Sequence, residues 1–128
     1  MKQIAIDYIN TYNLIGLKAG TTRETFIEIW MVVVNDRIFA RSWGFAEKSW
    51  YTAFLLEPFG QLKCGDVLFR IKAKIPEDLN AVTAAINEAY LKKYNHGANI
   101  PYAEGIIKQQ HIDKTMEFEL CEDVPCIT

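Results

Sequence analysis

Residues 29–51 read IWMVVVNDRIFARSWGFAEKSWY, and this stretch decides the fold. It reads as strand, tight turn, strand, glycine break and helix start. Asn35-Asp36 supplies the turn, because both residues tolerate positive φ. Arg37 to Trp43 then returns antiparallel. Period two places Arg37, Phe39, Arg41 and Trp43 on one face and Ile38, Ala40 and Ser42 on the other. The stretch before the turn, Thr25 to Val34, begins by alternating and becomes apolar on both faces, as a central, covered strand does. Gly44 breaks the second strand. A helix begins at Glu47 or Ser49, carries Trp50, Ala53 and Phe54 as its apolar stripe, and stops at Pro58. All three tryptophans of the chain lie in this stretch, interleaved with Arg37, Arg41 and Lys48.

Working outward, Ile4, Ala5, Tyr8, Ile9 and Tyr12 recur at helical spacing. Leu14 to Ala19 is a short strand. Phe59 to Lys63 and Val67 to Ile75 are strands joined by a Cys64-Gly65-Asp66 turn. Asp78 is a plausible N-cap for a helix whose stripe is Leu79, Val82, Ala85, Ile86, Ala89 and Tyr90, with Gly97 as its stop. Residues 99–113 are ambiguous, with a short helix over Ala103 to Gln110. Lys114 to Cys121 is a last strand, with Met116, Phe118 and Leu120 inward and Glu117 and Glu119 outward. The expected architecture is one α+β domain, residues 1–128, around an antiparallel sheet of five or six strands. Such a sheet protects its edges by curling into a barrel.

A chain of 128 residues with half its residues apolar buries enough surface to fold without disulfide or metal. A net charge of −2 argues against general nucleic-acid binding. The charge is uneven. Trp30 to Lys74 carries seven basic residues against four acids, and Asp113 to Thr128 carries five acids against Lys114 alone. Two mutually neutralising elements explain this pattern, and so does an anion site in the middle segment. The odd number of cysteines, Cys64, Cys121 and Cys126, with no C-x-x-C, points to reduced thiols in the cytoplasm. Cys121, Cys126 and His111 make a poor zinc set, so no metal is expected. No secretory signal is visible, and the longest apolar run, Ile29 to Val34, is too short to span a bilayer.

Four groups of side chains bear chemistry. Arg41-Ser42-Trp43-Gly44 with Lys48-Ser49-Trp50-Tyr51 offers cations, hydroxyls and helix-start N–H groups, the donors that phosphate needs, beside rings that would cover a planar ligand. Core packing of the rings is the competing reading. Arg70, Lys72 and Lys74 form a comb that faces either an anion or Glu117 and Glu119 across a strand pair. His96 and His111 read as solvated loop residues, with a haem or catalytic role for His111 as the alternative. Tyr90, Lys93 and Tyr94 share one helix face, with packing as the default.

Three segments, IWMVVVNDRIFARSWG, KSWYTAFLLEPFGQLKCG and INEAYLKKY, resemble a small bacterial family of unassigned function within the FMN-binding split-barrel superfamily. That superfamily includes pyridoxamine phosphate oxidase and the deazaflavin-dependent nitroreductases. The resemblance runs from about Thr25 to Tyr94. It implies a six-stranded split β-barrel with peripheral helices, a homodimer, and FMN or a deazaflavin held at the subunit interface. By the same resemblance, Arg41 and Ser42 would meet the cofactor phosphate and Lys48 would close over it. Trp30 would support the isoalloxazine, and Trp50 and Tyr51 would line the groove. Tyr51 is the first candidate for substitution, although no catalytic residue is demanded. The implied activity is flavin-dependent oxidoreduction of a small organic acceptor. The strand RIFARSWG is poorer in Arg, Lys, Ser and Thr than its counterpart in flavin-using members. The alternative is therefore a non-catalytic module that has lost the cofactor and binds another small ligand or a partner. No nucleic-acid or membrane partner is expected.

Overall fold

A computed structural model describes residues 2–20, 25–43 and 49–121. Helix α1 (Lys2–Thr11) leads into strand β1 (Ile15–Ala19). Strands β2 (Ile27–Ile29), β3 (Val32–Val34) and β4 (Arg37–Arg41) follow, then helix α2 (Trp50–Leu56). Next come strands β5 (Phe59–Cys64) and β6 (Val67–Lys74) and the long helix α3 (Leu79–Tyr94). A 3-10 turn (Gly97–Asn99), helices α4 (Ile100–Ile106) and α5 (Gln109–Ile112) and strand β7 (Thr115–Leu120) complete the described chain.

The strands form one antiparallel sheet of seven strands in the order β2-β1-β5-β6-β7-β4-β3. The expected single strand over Thr25 to Val34 is two strands, which is why the sheet has seven strands rather than six. It is not central either, because its halves lie at opposite edges of the sheet. Only Trp30 and Met31 join them, so the two edge strands approach to within about 11 Å at that link. The sheet must therefore curl, and it forms a half-barrel.

What allows the strand to break is distant in sequence. The buried Met31 N–H donates to the Tyr94 hydroxyl at 3.0 Å. Lys93 Nζ donates to the Met31 carbonyl at 2.7 Å and also to the Ile9 carbonyl at the end of α1. The face of α3 that carries Tyr90, Lys93 and Tyr94 thus replaces the ladder bonds that a continuous strand would have made. Burial lowers the Lys93 amine to about 8. Tyr90 does the same service at β4, where its hydroxyl accepts from Arg41 N at 2.8 Å.

The β3–β4 hairpin has the expected turn, with Asn35 and Asp36 at φ 51° and 62° and Val34 opposite Arg37. Both faces of β4 are buried. Ile38 and Ala40 enter the concave core with α1, α2 and the strands β1, β5, β6 and β7. Phe39 packs outward with Val32 under α3 and α4, against Val82, Ile86, Tyr90, Tyr94, Ala103 and Ile106.

Polar expectations shift in detail. Asp78 sits at the N-cap of α3 but makes no side-chain capping bond. Its carboxylate forms paired hydrogen bonds with Arg37, which also forks onto Glu117. Glu117 is therefore buried, although it lies on the expected outward face opposite Phe39. Of the basic comb, Lys74 pairs with Glu119 at 3.2 Å. The odd cysteine count leaves one thiol over but does not forbid one bridge. Cys121 is disulfide-bonded, whereas Cys64 is a free, buried thiol that desolvation pushes up to about 11.

Ser49 caps α2, its Oγ accepting from Thr52 N at 3.2 Å. A helix of seven residues cannot sustain itself alone. Ser49→Ala should lower stability by about 1 kcal/mol, read as a shift in the urea midpoint. An unchanged midpoint would show that packing alone holds α2.

Candidate functional site

A cavity of about 600 Å³ opens where four segments converge. Leu14 and β2 form one wall, with Trp30 from the β2–β3 link. The end of β4 supplies Arg41, followed by Ser42 and Trp43. Ser49 and Trp50 come from the start of α2, and Asn99 and Tyr102 from the start of α4. The volume is in the range that holds a cofactor-sized ligand.

Four of the six residues expected at the site, Trp30, Arg41, Ser42 and Trp50, line this one cavity. Tyr51 does not. It is buried in the concave core, its ring beneath Lys114 Nζ at 5.0 Å, and burial raises its phenol. Lys48 lies outside the described residues, as do Gly44 and Glu47. Asn99, Tyr102 and Glu28 are lining residues that sequence reasoning did not single out. The first two fall in the stretch whose periodicity was ambiguous. Glu28 lies on the alternating part of the 25–34 segment, where a polar residue inside an apolar run was the available signal.

The rings are placed firmly. Trp30 stacks on Tyr94 with centroids 4.1 Å apart and planes 7° from parallel. Trp43 meets Tyr102 edge-on at 6.0 Å and leans on His111 at 4.4 Å. It lies against α4 because Gly105 has no side chain: a Cβ there would come within 2.8 Å of the indole. Trp50 packs on Phe54 and Phe118.

His111 is not a solvated loop residue but is buried, with Nδ1 3.0 Å from the Ser42 carbonyl. A carbonyl only accepts, so Nδ1 carries the proton in this bond. The Ser42 N–H in turn donates to the Lys114 carbonyl at 3.2 Å. Neither His111 nor His96 is among the cavity-lining residues. Among the described residues no group of three or more His, Cys, Asp or Glu is placed to hold a metal ion. No described helix is long and apolar enough to cross a membrane.

Arg41 is the unusual group. The residue is only 3% exposed, and every partner it has among the described residues is uncharged. Nε donates to Thr115 Oγ1 at 3.2 Å, and Nη1 donates to Asn87 Oδ1 and to the Ile106 carbonyl at 3.2 Å. Thr115 spends its own proton on the Ile112 carbonyl at 2.7 Å, so its oxygen faces Arg41 as an acceptor. The face of Tyr90 lies 5.6 Å from the guanidinium. That uses three of the five guanidinium N–H groups. Nη2, with the other two, is buried and has no hydrogen-bond partner among the described residues. Burial without a counter-ion lowers the guanidinium from its usual range, although it stays protonated at neutral pH. A buried cation left this way is costly unless something anionic completes it.

No curated protein matches this sequence. Among solved structures, the fold is similar to the crystal structure of the conserved hypothetical protein Rv2991 from Mycobacterium tuberculosis. The TM-score is 0.57 at 14% identity, over 92% of this chain and 78% of that one. At that identity the likeness is one of fold. Residues 5–118 match a family described as an uncharacterized protein conserved in bacteria, DUF2255, and over that span the chain belongs to this bacterial family.

Proposed function

We propose that the cavity binds a phosphorylated flavin, FMN or a deazaflavin, with its anionic group at Arg41. The observation that carries this reading is the buried Arg41, held by uncharged partners with Nη2 unsatisfied, on the wall of a cavity of about 600 Å³. An anion supplies both the missing charge and the missing acceptor. Trp30, Trp43 and Trp50 on the same cavity offer flat apolar surface to a planar ring. Ser42 and Ser49 offer further polar contacts, and Lys48 joins them in this reading. Bound there, the cofactor would supply hydride or electron transfer to a small organic acceptor. The chain's part is to bind, orient and desolvate it. In this reading the curled sheet is a variant of the FMN-binding split barrel, working as a homodimer.

A second reading keeps the cavity for another small ligand or for a partner surface, without catalysis. It is favoured by the exposure of Leu14, Ile27, Trp43 and Tyr102 on the cavity wall. The visible spectrum of the purified protein, before and after FMN is added, separates the two. A bound flavin with shifted absorption bands supports the first. A colourless protein whose addition leaves the FMN spectrum unchanged supports the second.

A further inference from the structure

We propose that Asn87 is the residue that keeps the Arg41 charge available to a ligand. This inference rests on the anion-binding part of the proposed function and extends it to a residue outside the cavity lining. A buried arginine is ordinarily held by a carboxylate, and here even the partly exposed Arg37 is held by both Asp78 and Glu117. Arg41 is held as closely, yet the side-chain acceptor at Nη1 is the amide oxygen of Asn87, from the middle of α3. The remaining acceptors, Thr115 Oγ1 and the Ile106 carbonyl, are also neutral. The clamp therefore fixes the guanidinium in position without neutralising it. A carboxylate at position 87 would occupy the same place and make the same hydrogen bond, while cancelling the charge that draws an anion to Nη2. On this view Asn87 is a positioning residue whose neutrality matters more than its bond.

The two possible roles of Asn87 give opposite rankings. If it only supports Arg41 structurally, Asn87→Asp keeps the bond and Asn87→Ala loses it, so Ala is the more damaging change for binding. If neutrality is the point, Asp is the more damaging change. The test is calorimetric titration of wild type, N87D and N87A with FMN and, separately, with inorganic phosphate, alongside the melting temperature of each ligand-free protein. We expect N87D to bind either anion at least about tenfold more weakly than wild type and more weakly than N87A, with a ligand-free melting temperature at or above wild type. N87D binding as well as wild type, or better than N87A, overturns the inference even if FMN binds. Wild type that binds phosphate but not FMN, with phosphate binding lost in N87D, removes the flavin reading and keeps the role of Asn87. Wild type that binds neither anion overturns both.

Discussion

Arg41→Met is expected to weaken FMN binding about a hundredfold while changing riboflavin binding less than about threefold. The truncated partner in a buried, charge-assisted contact typically forfeits 2–5 kcal/mol, and about 2.7 kcal/mol is a factor of a hundred. Methionine retains the unbranched apolar stem and removes only the charged fork. The variant should stay folded, because two effects oppose each other. Asn87, Thr115 and the Ile106 carbonyl each lose a donor. Against that, a buried guanidinium with an unsatisfied Nη2 and no counter-ion is removed. Fluorescence titration of both ligands on both proteins reads the difference directly. An equal loss for FMN and riboflavin would remove the phosphate from Arg41, and no loss for either would remove Arg41 from the site.

Tyr94→Phe is expected to lower stability by about 2 kcal/mol, roughly 6–10 °C in melting temperature for a chain of this size. The hydroxyl accepts from Met31 N at 3.0 Å and donates to the Asn13 carbonyl at 2.6 Å. Met31 is fully buried, so its N–H has no water to turn to when the hydroxyl is gone. Phenylalanine keeps the ring that stacks on Trp30, which confines the change to the hydroxyl. Because Trp30 adjoins Met31 and lines the cavity, FMN binding should weaken as well, though less than in Arg41→Met. Thermal melts of the two proteins are sufficient. A shift below about 2 °C would mean that the β2–β3 link does not depend on this hydroxyl.

These two residues also mark where the sequence is legible. Local signals read correctly: Asn35-Asp36 as a tight turn, Ser49 and Pro58 as the limits of α2, the apolar stripe of α3. The clean alternation of Val67 to Ile75 gave β6. The stretch Thr25 to Val34 read as one central strand because its apolar residues continue across Trp30 and Met31. The groups that let it break, Lys93 and Tyr94, come from about sixty residues later. Their helical spacing was visible, but nothing in it says which backbone they serve. The same holds for the site. Arg41 was a candidate by its neighbours in sequence, and Trp30, Ser42 and Trp50 do meet it at one cavity. Its burial was not readable, since its partners are uncharged groups on α3, α4 and β7 that leave no trace in the charge pattern. His111 read as a solvated loop residue for a similar reason, because what packs on it is the Ser42 carbonyl and the Trp43 indole, from about seventy residues earlier. Tyr51 read as groove-lining because it adjoins Trp50. Neighbours on a helix point about 100° apart, and here one meets the cavity while the other packs in the core.

The most direct test of the account is a paired calorimetric titration of the wild-type protein with FMN and with riboflavin. An anion completing Arg41 predicts that FMN binds, and at least about tenfold more tightly than riboflavin. Equal affinity for the two flavins, or binding of neither, would contradict it.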